Sequence, residues 1–356
     1  MVEAVVVDDS HFMRVQIAEI LEDGGVTVVD DARNGTEAID TIRDCDPDVV
    51  TMDVKMPGMD GIEAVERIME THPTPVLMLS RYTEQGAETT FEALDAGAVD
   101  FFPKPDGELS LGLVQYADDL VEKVNVVAGA DVSVGPSGTA TPAGATEPDE
   151  PPTPAEPDVQ TPAGSAPAVV IGASTGGPPE VQSILSSVPA TLGCRVLVVQ
   201  HMPENFTDRF ATRLDAFSEL DVREAAGTDS LDPNEAVIAR GGSHLEVRDE
   251  TGDRLELAVT DDPPVHNVRP AADVTFESVA DTCSGPLVGV VLTGMGKDGA
   301  SGIEAIKSAG GTTIAQDPET TSIESMPARA IETGKVDEVL STGEIPDAIF
   351  EAINIE

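Results

Sequence analysis

Between Val127 and Ala166 the chain runs for 40 residues with eight prolines, no aromatic residue, no Leu or Ile, and no Lys or Arg. Such a stretch cannot bury enough apolar surface to offset the entropy of ordering its backbone, so it is expected to be a semi-extended, flexible tether. It divides the 356-residue chain into two units, each of which must build its own core. The expected division is a first unit over 1–122, a Pro/Ala/Gly-rich linker over 123–166 and a second unit over 167–356.

On both sides of the tether, short apolar runs alternate with helical patterns. Before it, strands are predicted at Ala4–Val7, Val26–Val29, Val49–Met52, Val76–Leu79 and Val99–Phe102, with helices such as Phe12–Glu22 and Gly61–Thr71 between them. After it, strands are predicted at Ala168–Ile171, Val196–Val199, Ala236–Ala239, Leu287–Leu292 and Thr312–Ala315. Helices are predicted at Pro178–Ser186, Asn205–Phe217 and Asp298–Ala309, the second placing Phe206, Phe210, Leu214 and Phe217 on one face. Strands that alternate with helices imply parallel sheets covered on both sides, so the expected fold class is α/β: two doubly wound domains joined by a linker.

The charge is the outlier of the composition, with 66 acidic against 20 basic residues and a net charge of −46. The tether holds only six of the acids, so the other 60 lie on segments patterned to fold. Self-repulsion on that scale destabilises a compact state at ordinary salt and is screened at molar salt, which points to a high-salt cytoplasm. The same charge argues against nucleic acid as a partner, because phosphate binding needs a basic stripe. No apolar run approaches the ~20 residues of a membrane span, and no signal-peptide pattern opens the sequence. The three cysteines (Cys45, Cys194 and Cys283) are far apart and in no metal-ligand spacing. A reduced, cytoplasmic protein without membrane insertion is the expectation.

In the first unit Asp8 and Asp9 follow strand one and Asp53 follows strand three. Residues at the carboxyl ends of central strands converge on one crevice, and three carboxylates there call for a hard divalent cation such as Mg²⁺. Ser80 ends strand four and Lys104 follows strand five, adding a hydroxyl and a cation. The segments VVVDDS, TMDVKMPGMDG, MLS and FFPKP resemble the receiver domain of response regulators, a CheY-like fold. The resemblance implies that Asp53 is the phosphoacceptor and that Asp8, Asp9, Asp53 and the Lys55 backbone carbonyl hold Mg²⁺. It further implies that Lys104 contacts the phosphoryl group, Ser80 hydrogen-bonds it on activation, and Phe101 is the aromatic switch residue.

Receivers commonly drive a DNA-binding output, but the second unit is acidic α/β sequence with no helix-turn-helix pattern. Its VVIGASTGGP segment places Ser174 in a glycine-rich turn between strand and helix. The spacing is not G-x-G-x-x-G, which argues against a dinucleotide turn. It does match the G-x-S-x-G elbow of α/β-hydrolases, yet the turn follows the first strand of its unit, where that fold requires earlier strands. His201 emerges directly from VLVVQ, and Asp298 follows the strand in LVGVVLTGMGKDGA. Ser, His and Asp at three strand ends is the arrangement that a nucleophile, a base and an orienter require. Each has a bland alternative, as a turn serine, a strand-end histidine and an N-cap aspartate. His244 and His266 lie in turn-like contexts and are expected at the surface or the rim of the site.

IGASTGGP, VVQHMPENFTDRFATRLD, HNVRPAADVTFESVA, VVLTGMGKDGASG and AQDPETTSIESMPARAIETG, in that order, resemble the methylesterase domain of the CheB family, with a Rossmann-like sheet. Two positions depart from that pattern: Lys297 stands where Asn is frequent, and Glu324-Ser325 precedes Met326-Pro327 where Gly is usual. The resemblance implies a chemotaxis esterase that removes methyl esters from chemoreceptor glutamates and also deamidates glutamines. Its partners would be methylated chemoreceptors and a chemotaxis histidine kinase, and the esterase chemistry needs no cofactor. Ser174, His201 and Asp298 would form the catalytic triad, with Met295 and Thr175 backbone N–H groups as the oxyanion donors.

Overall fold

The computed structural model describes residues 1–81, 84–104, 116–130, 132 and 165–354. The first unit runs β1 (Glu3–Val7), α1 (His11–Asp23), β2 (Thr27–Ala32), α2 (Gly35–Cys45), β3 (Val49–Asp53), α3 (Gly61–Thr71), β4 (Val76–Arg81), α4 (Glu84–Asp95), β5 (Asp100–Lys104) and α5 (Ala117–Val127). Its five strands pair in parallel in the order β2-β1-β3-β4-β5. The order reverses between β1 and β3, and a crevice opens beyond the carboxyl ends of those two strands. Short polar side chains start the helices: Ser10 accepts from Met13 N–H (3.4 Å), Asn34 from Glu37 N–H (3.0 Å) and Asp60 from Glu63 N–H (3.0 Å). Helix α5 continues past the boundary expected at residue 122, because Leu120, Val124 and Val127 form a buried stripe against the sheet unit. Most of the expected tether lies outside the described residues.

The second unit runs β6 (Ala168–Ala173), α6 (Gly177–Ser187), β7 (Arg195–Gln200), α7 (Glu204–Asp215), β8 (Asp221–Glu224), β9 (Thr228–Leu231), β10 (Glu235–Ile238), β11 (His244–Thr251) and β12 (Arg254–Thr260). It continues with α8 (Ala272–Thr282), β13 (Leu287–Val291), α9 (Ala300–Ser308), β14 (Thr312–Gln316), α10 (Ser325–Glu332), β15 (Glu338–Leu340) and α11 (Ile345–Asn354). Seven strands pair in parallel in the order β15-β14-β13-β6-β7-β10-β8. Strand β6 is the switch point, with β7 on one side and β13 on the other, so the loops after these three strands share one crevice. Helix α7 buries Phe206, Phe210 and Leu214, but it ends at Asp215 and leaves Phe217 about half exposed, off the face expected for it. A separate antiparallel sheet, ordered β11-β12-β9, was not anticipated. It buries Leu231, Leu245, Val247, Leu255 and Leu257.

Arg195, fully buried at the start of β7, fixes the entry of the chain into this unit. Its guanidinium meets Glu250 (2.9 Å) and donates to the carbonyls of Asp253 (3.1 Å), Pro167 (3.5 Å) and Ala166. A buried cation is tolerable only with this degree of pairing.

The two units touch through α4 and β5 of the first and α7 of the second. Phe101 stacks on Phe206 at 4.7 Å between centroids, and Phe91 on Phe210 at 5.6 Å. Arg213 lies over Phe91 and donates to both carboxylate oxygens of Asp95 (2.7 and 2.6 Å). For the whole chain, with its 46 uncompensated negative charges, the thermal midpoint should climb steadily as KCl rises from 0.1 to ~3 M, as self-repulsion is screened. A midpoint that stayed flat or fell would contradict the high-salt reading.

Candidate functional site

In the crevice of the first unit, Asp8 is buried at the end of β1, Asp9 is exposed beside it, and Asp53 closes β3. A carboxylate oxygen from each lies within 4.8 Å of the others. Lys104, at the end of β5, donates to Asp8 (2.7 Å) and to Asp53 (2.6 Å). Burial pushes the Asp53 carboxyl above its usual range, Lys104 pulls it back, and Asp8 and Asp9 push it up again. One lysine against three carboxylates leaves a local charge deficit, which a hard divalent cation with oxygen ligands would remove; the residues fit Mg²⁺. Ser80 is buried at the end of β4, Lys55 is exposed in the loop after β3, and Phe101 is buried under Phe206.

This pocket makes a direct prediction. Incubation with acetyl phosphate and Mg²⁺ should produce an acid-stable, base-labile acyl phosphate, seen as a mobility shift on a phosphate-affinity gel. Asp53→Asn or EDTA should abolish it, and labelling that survived Asp53→Asn would place the phosphoacceptor elsewhere.

In the second unit, β6 runs into Ser174, and the turn is fixed by backbone bonds. Ser174 N–H donates to Thr293 O (3.0 Å), and Ser174 O accepts from Gly177 N–H (2.9 Å) and from the Gln200 side-chain amide (2.7 Å). Gly176, at φ +76°, allows the chain to turn into α6, which carries Pro178 in its first turn. His201 continues β7, its N–H donating to Ala173 O (2.9 Å), so the Ser174 and His201 positions adjoin at neighbouring strand ends. The loop after β13 closes from the other side. A Cβ on Gly294 would lie 2.7 Å from Ser174 Cβ, so only glycine permits that approach.

His201 Nε2 lies 2.8 Å from Asp298 Oδ2. Asp298 is 2% exposed and accepts three backbone N–H groups: Ala272 (2.6 Å), Asp273 (2.9 Å) and Gly299 (3.1 Å). It is a capping aspartate, as the bland reading had it, but it caps α8 and not the helix it precedes, whose N-cap is Gly299. Burial alone would raise the Asp298 carboxyl; the hydrogen bond and charge of His201, with the two N–H groups of α8, outweigh it and hold the pKa below the usual carboxylate range. The carboxylate is thus ionised and aligned to orient the imidazole.

The pairing of His201 with Asp298 is formed, whereas no hydrogen bond joins Ser174 Oγ to His201 among the described residues. With Nε2 engaged, Nδ1 is the ring nitrogen left for the serine. Thr175, next to Ser174, is buried and Met295, next to Gly294, is half-buried, and neither N–H has an acceptor among the described residues. Thr293 ties the two loops, its hydroxyl donating to Thr175 O (3.1 Å) and accepting from Ile323 N–H (3.0 Å). The divergent Glu324-Ser325 segment abuts the same loop, since Met326 N–H donates to Gly294 O (2.9 Å). Lys297 is exposed beside Asp298.

One residue departs from its expected position, and another holds the site without any expectation attached to it. His244 is 1% exposed, not at the surface, because its ring accepts from Ala271 N–H (3.2 Å) and lies 3.2 Å from Pro263 O. Gln200, whose amide holds the Ser174 carbonyl, went unread although it directly precedes His201 in VLVVQH. Burial pushes the thiols of Cys194 and Cys283 up to about 12, which removes them as competing nucleophiles at neutral pH.

Against known proteins, the CheB methylesterase family matches residues 169–349, and the response regulator receiver domain matches residues 4–111. The chain belongs to the CheB methylesterase family. Among its relatives, a protein-glutamate methylesterase/protein-glutamine glutaminase of Natronomonas pharaonis is 52% identical, over 99% of this chain and 98% of that one. A protein of the same description from Haloarcula marismortui is 50% identical, over 100% and 98%. The solved catalytic domain of the Thermotoga maritima CheB methylesterase is 40% identical with a TM-score of 0.51, covering 52% of this chain and 98% of that domain. The CheB architecture accounts for the α/β catalytic sheet, and the receiver match accounts for the acidic crevice. Among the described residues no helix is long and apolar enough to cross a membrane.

Proposed function

We propose that this chain is a receiver-controlled protein-glutamate methylesterase and protein-glutamine glutaminase that resets chemoreceptors. The observation that carries the reading is the buried, ionised Asp298 bound to His201 at the switch-point crevice, beside a serine whose loop only glycine neighbours permit. His201, through Nδ1, takes the proton of Ser174 as its oxygen attacks the methyl ester carbonyl of a receptor glutamate. Asp298 keeps the tautomer and stabilises the imidazolium. The N–H groups of Met295 and Thr175 receive the developing oxyanion. Methanol leaves with a proton from His201, and water then releases the glutamate by the same base. A glutamine side chain differs only in its leaving group, ammonia.

In the receiver, Asp53 accepts phosphate from a chemotaxis histidine kinase, with Asp8, Asp9, Asp53 and the Lys55 carbonyl as the Mg²⁺ ligands. The cation supplies charge neutralisation there. Lys104 contacts the phosphoryl oxygens, and Ser80 and Phe101 transmit the change. We place the receiver at the start of the chain through α5, the tether up to residue 166 and the catalytic unit from 167 to 356, all in the cytoplasm. The test is methanol release from methyl-esterified chemoreceptor by the full chain in molar KCl, with acetyl phosphate and Mg²⁺. Receptor that kept its methyl esters under those conditions would overturn the reading.

A further inference from the structure

A second histidine–carboxylate pair stands directly behind the first. His266 Nε2 lies 2.8 Å from Asp273 Oδ2, and Asp273 is 4% exposed. A ligand atom of His266, of Asp273 and of Asp298 all fall within 4.8 Å of one another. The two carboxylates cap each other's neighbouring helices. Asp298 accepts the N–H groups of Ala272 and Asp273 at the start of α8, and Asp273 Oδ1 accepts Gly302 N–H (2.8 Å) in the first turn of α9. Asp298 precedes α9 by only one intervening residue, so whatever fixes that first turn also fixes Asp298.

His266 is held for this contact by a tight turn. It and Asn267 both have positive φ (+53° and +63°), at the tip of a tight turn closed by Val265 and Val268, which bond to each other in both directions (3.2 and 3.0 Å). His and Asn enter that region more readily than most side chains, so the turn is compatible with this sequence, and it presents the His266 ring to Asp273.

We propose that Asp273, oriented by His266, is a second carboxylate of the esterase centre: it positions Asp298 through α9 and adds its negative charge to the stabilisation of the His201 imidazolium. This rests on the esterase reading given above. The charges around the pair are these. Glu277 lies one turn further along α8, and its carboxyl is raised by burial and by Asp273. Lys297 neighbours Asp298 in the chain, and His201 faces Asp298 from the end of β7. Arg269, in the His266 segment, is turned toward the carbonyls of Asp261 (2.9 Å) and Asp262 (3.1 Å). His244, from β11, packs on Ala271. Burial, with the charge of Asp298, holds the Asp273 carboxyl above its usual range, and Gly302 N–H and His266 pull it only part of the way back, so its negative charge depends on those two partners. Neither Asp273 nor His266 is proposed to touch substrate; both are positioning residues.

The test is the pH dependence of kcat/KM for methanol release, using the full chain in molar KCl with acetyl phosphate and Mg²⁺. Asp273→Asn keeps an oxygen for Gly302 N–H but removes one negative charge near His201. The imidazolium loses stabilisation, so the acid limb should move to lower pH by about 0.5–1 unit, with the plateau reduced about tenfold. A uniform loss at every pH, with the limb unmoved, would show a purely structural role and overturn the proposal.

His266→Ala should lower kcat, and His266→Gln, which can still donate to Asp273, should recover at least fivefold of that loss. In the Asp273→Asn background His266→Ala should add less than about a threefold further loss, because the imidazole acts through the carboxylate. Additive losses would overturn that route. If Asp273→Asn does not fold, equal losses in His266→Ala and His266→Gln would still refute the proposal. Ser174→Ala, assayed alongside, separates the two readings: methanol release that persists in that variant sinks the esterase assignment itself, not only the second carboxylate.

Discussion

Ser174→Ala should eliminate methanol release, with a loss of kcat of ~10⁴-fold or more, while the chain stays folded and still binds receptor. The expectation of so large a loss comes from what is already in place around the serine. The His201–Asp298 pair is formed, and the loop carrying Met295 is tied to the Ser174 turn through Thr293. On the proposed mechanism the variant lacks only the nucleophile, and the buried thiols of Cys194 and Cys283, kept protonated, cannot replace it. The close approach of Gly294 is to the β-carbon of Ser174, which alanine retains, so the turn should keep its geometry. The thermal midpoint should therefore stay within a degree or two of wild type. A residual rate within tenfold of wild type would remove Ser174 from the chemistry; lost hydrolysis together with a collapsed midpoint would show only that the turn had failed. Asp298→Asn should behave differently, because Asp298 also caps α8 and its loss acts on stability as well as on the tautomer of His201.

Those three residues were readable in the sequence because each follows an unbroken apolar strand, and strand ends in a doubly wound sheet converge. Ser174 follows VVIGA, His201 follows VLVVQ and Asp298 follows VGVVLTGMGK. Physics of that kind places a residue on a rim but does not say which atoms meet. The capping of α8 by Asp298 joins residues 25 and 26 apart in the chain, through a loop whose conformation has no period to read. Asp273 was hidden for the same reason: in AADVTF it looks like an ordinary acidic residue in a first helical turn. His266 was read as a turn residue at the surface or the rim of the site, and its pairing with Asp273 becomes evident only in three dimensions. The β11–β12 hairpin, by contrast, did carry a signal. Leu245 and Val247, then Leu255, Leu257 and Val259, alternate across a Gly-Asp turn at 252–253, a period of two inside a unit otherwise governed by buried strands. The end of α5 was likewise legible from the spacing of Leu120, Val124 and Val127, but the proline-rich composition further on drew the boundary too early.

The second large effect concerns the face that joins the units. A fragment of residues 165–356 should hydrolyse methylated receptor about tenfold faster than the intact, unphosphorylated chain. The fragment must begin at Ser165, because the buried Arg195 draws its partners from the carbonyls of Ala166 and Pro167. Among the described residues, the contact between the receiver and α7 includes two aromatic stacks and an ion pair. Stacks contribute about 0.5–1.5 kcal/mol each beyond the area they bury. Asp95 is half exposed, so its pair with Arg213 adds at most ~1 kcal/mol and is screened by salt. At an effective concentration near millimolar, a tenfold excess of the closed form needs a docking affinity of only ~0.1 mM, about 5.5 kcal/mol. These contacts must supply it together with the apolar area buried beneath them, and a balance of that size is weak enough for one covalent event to reverse. Phe101 is where such an event would act: it follows the buried Asp100 on β5, three residues before Lys104, and its ring lies on Phe206, only five residues beyond His201. Phosphorylation at Asp53 that draws in Ser80 and Lys104 would turn that ring and uncouple α7. Salt separates the contributions. Arg213→Ala should raise unphosphorylated activity a few-fold at the lowest KCl that keeps the chain folded, and not at all in molar KCl, whereas Phe91→Ala should raise it at both. If the fragment proved no faster than the unphosphorylated chain, the face between α4, β5 and α7 would be a resting contact without control over the esterase.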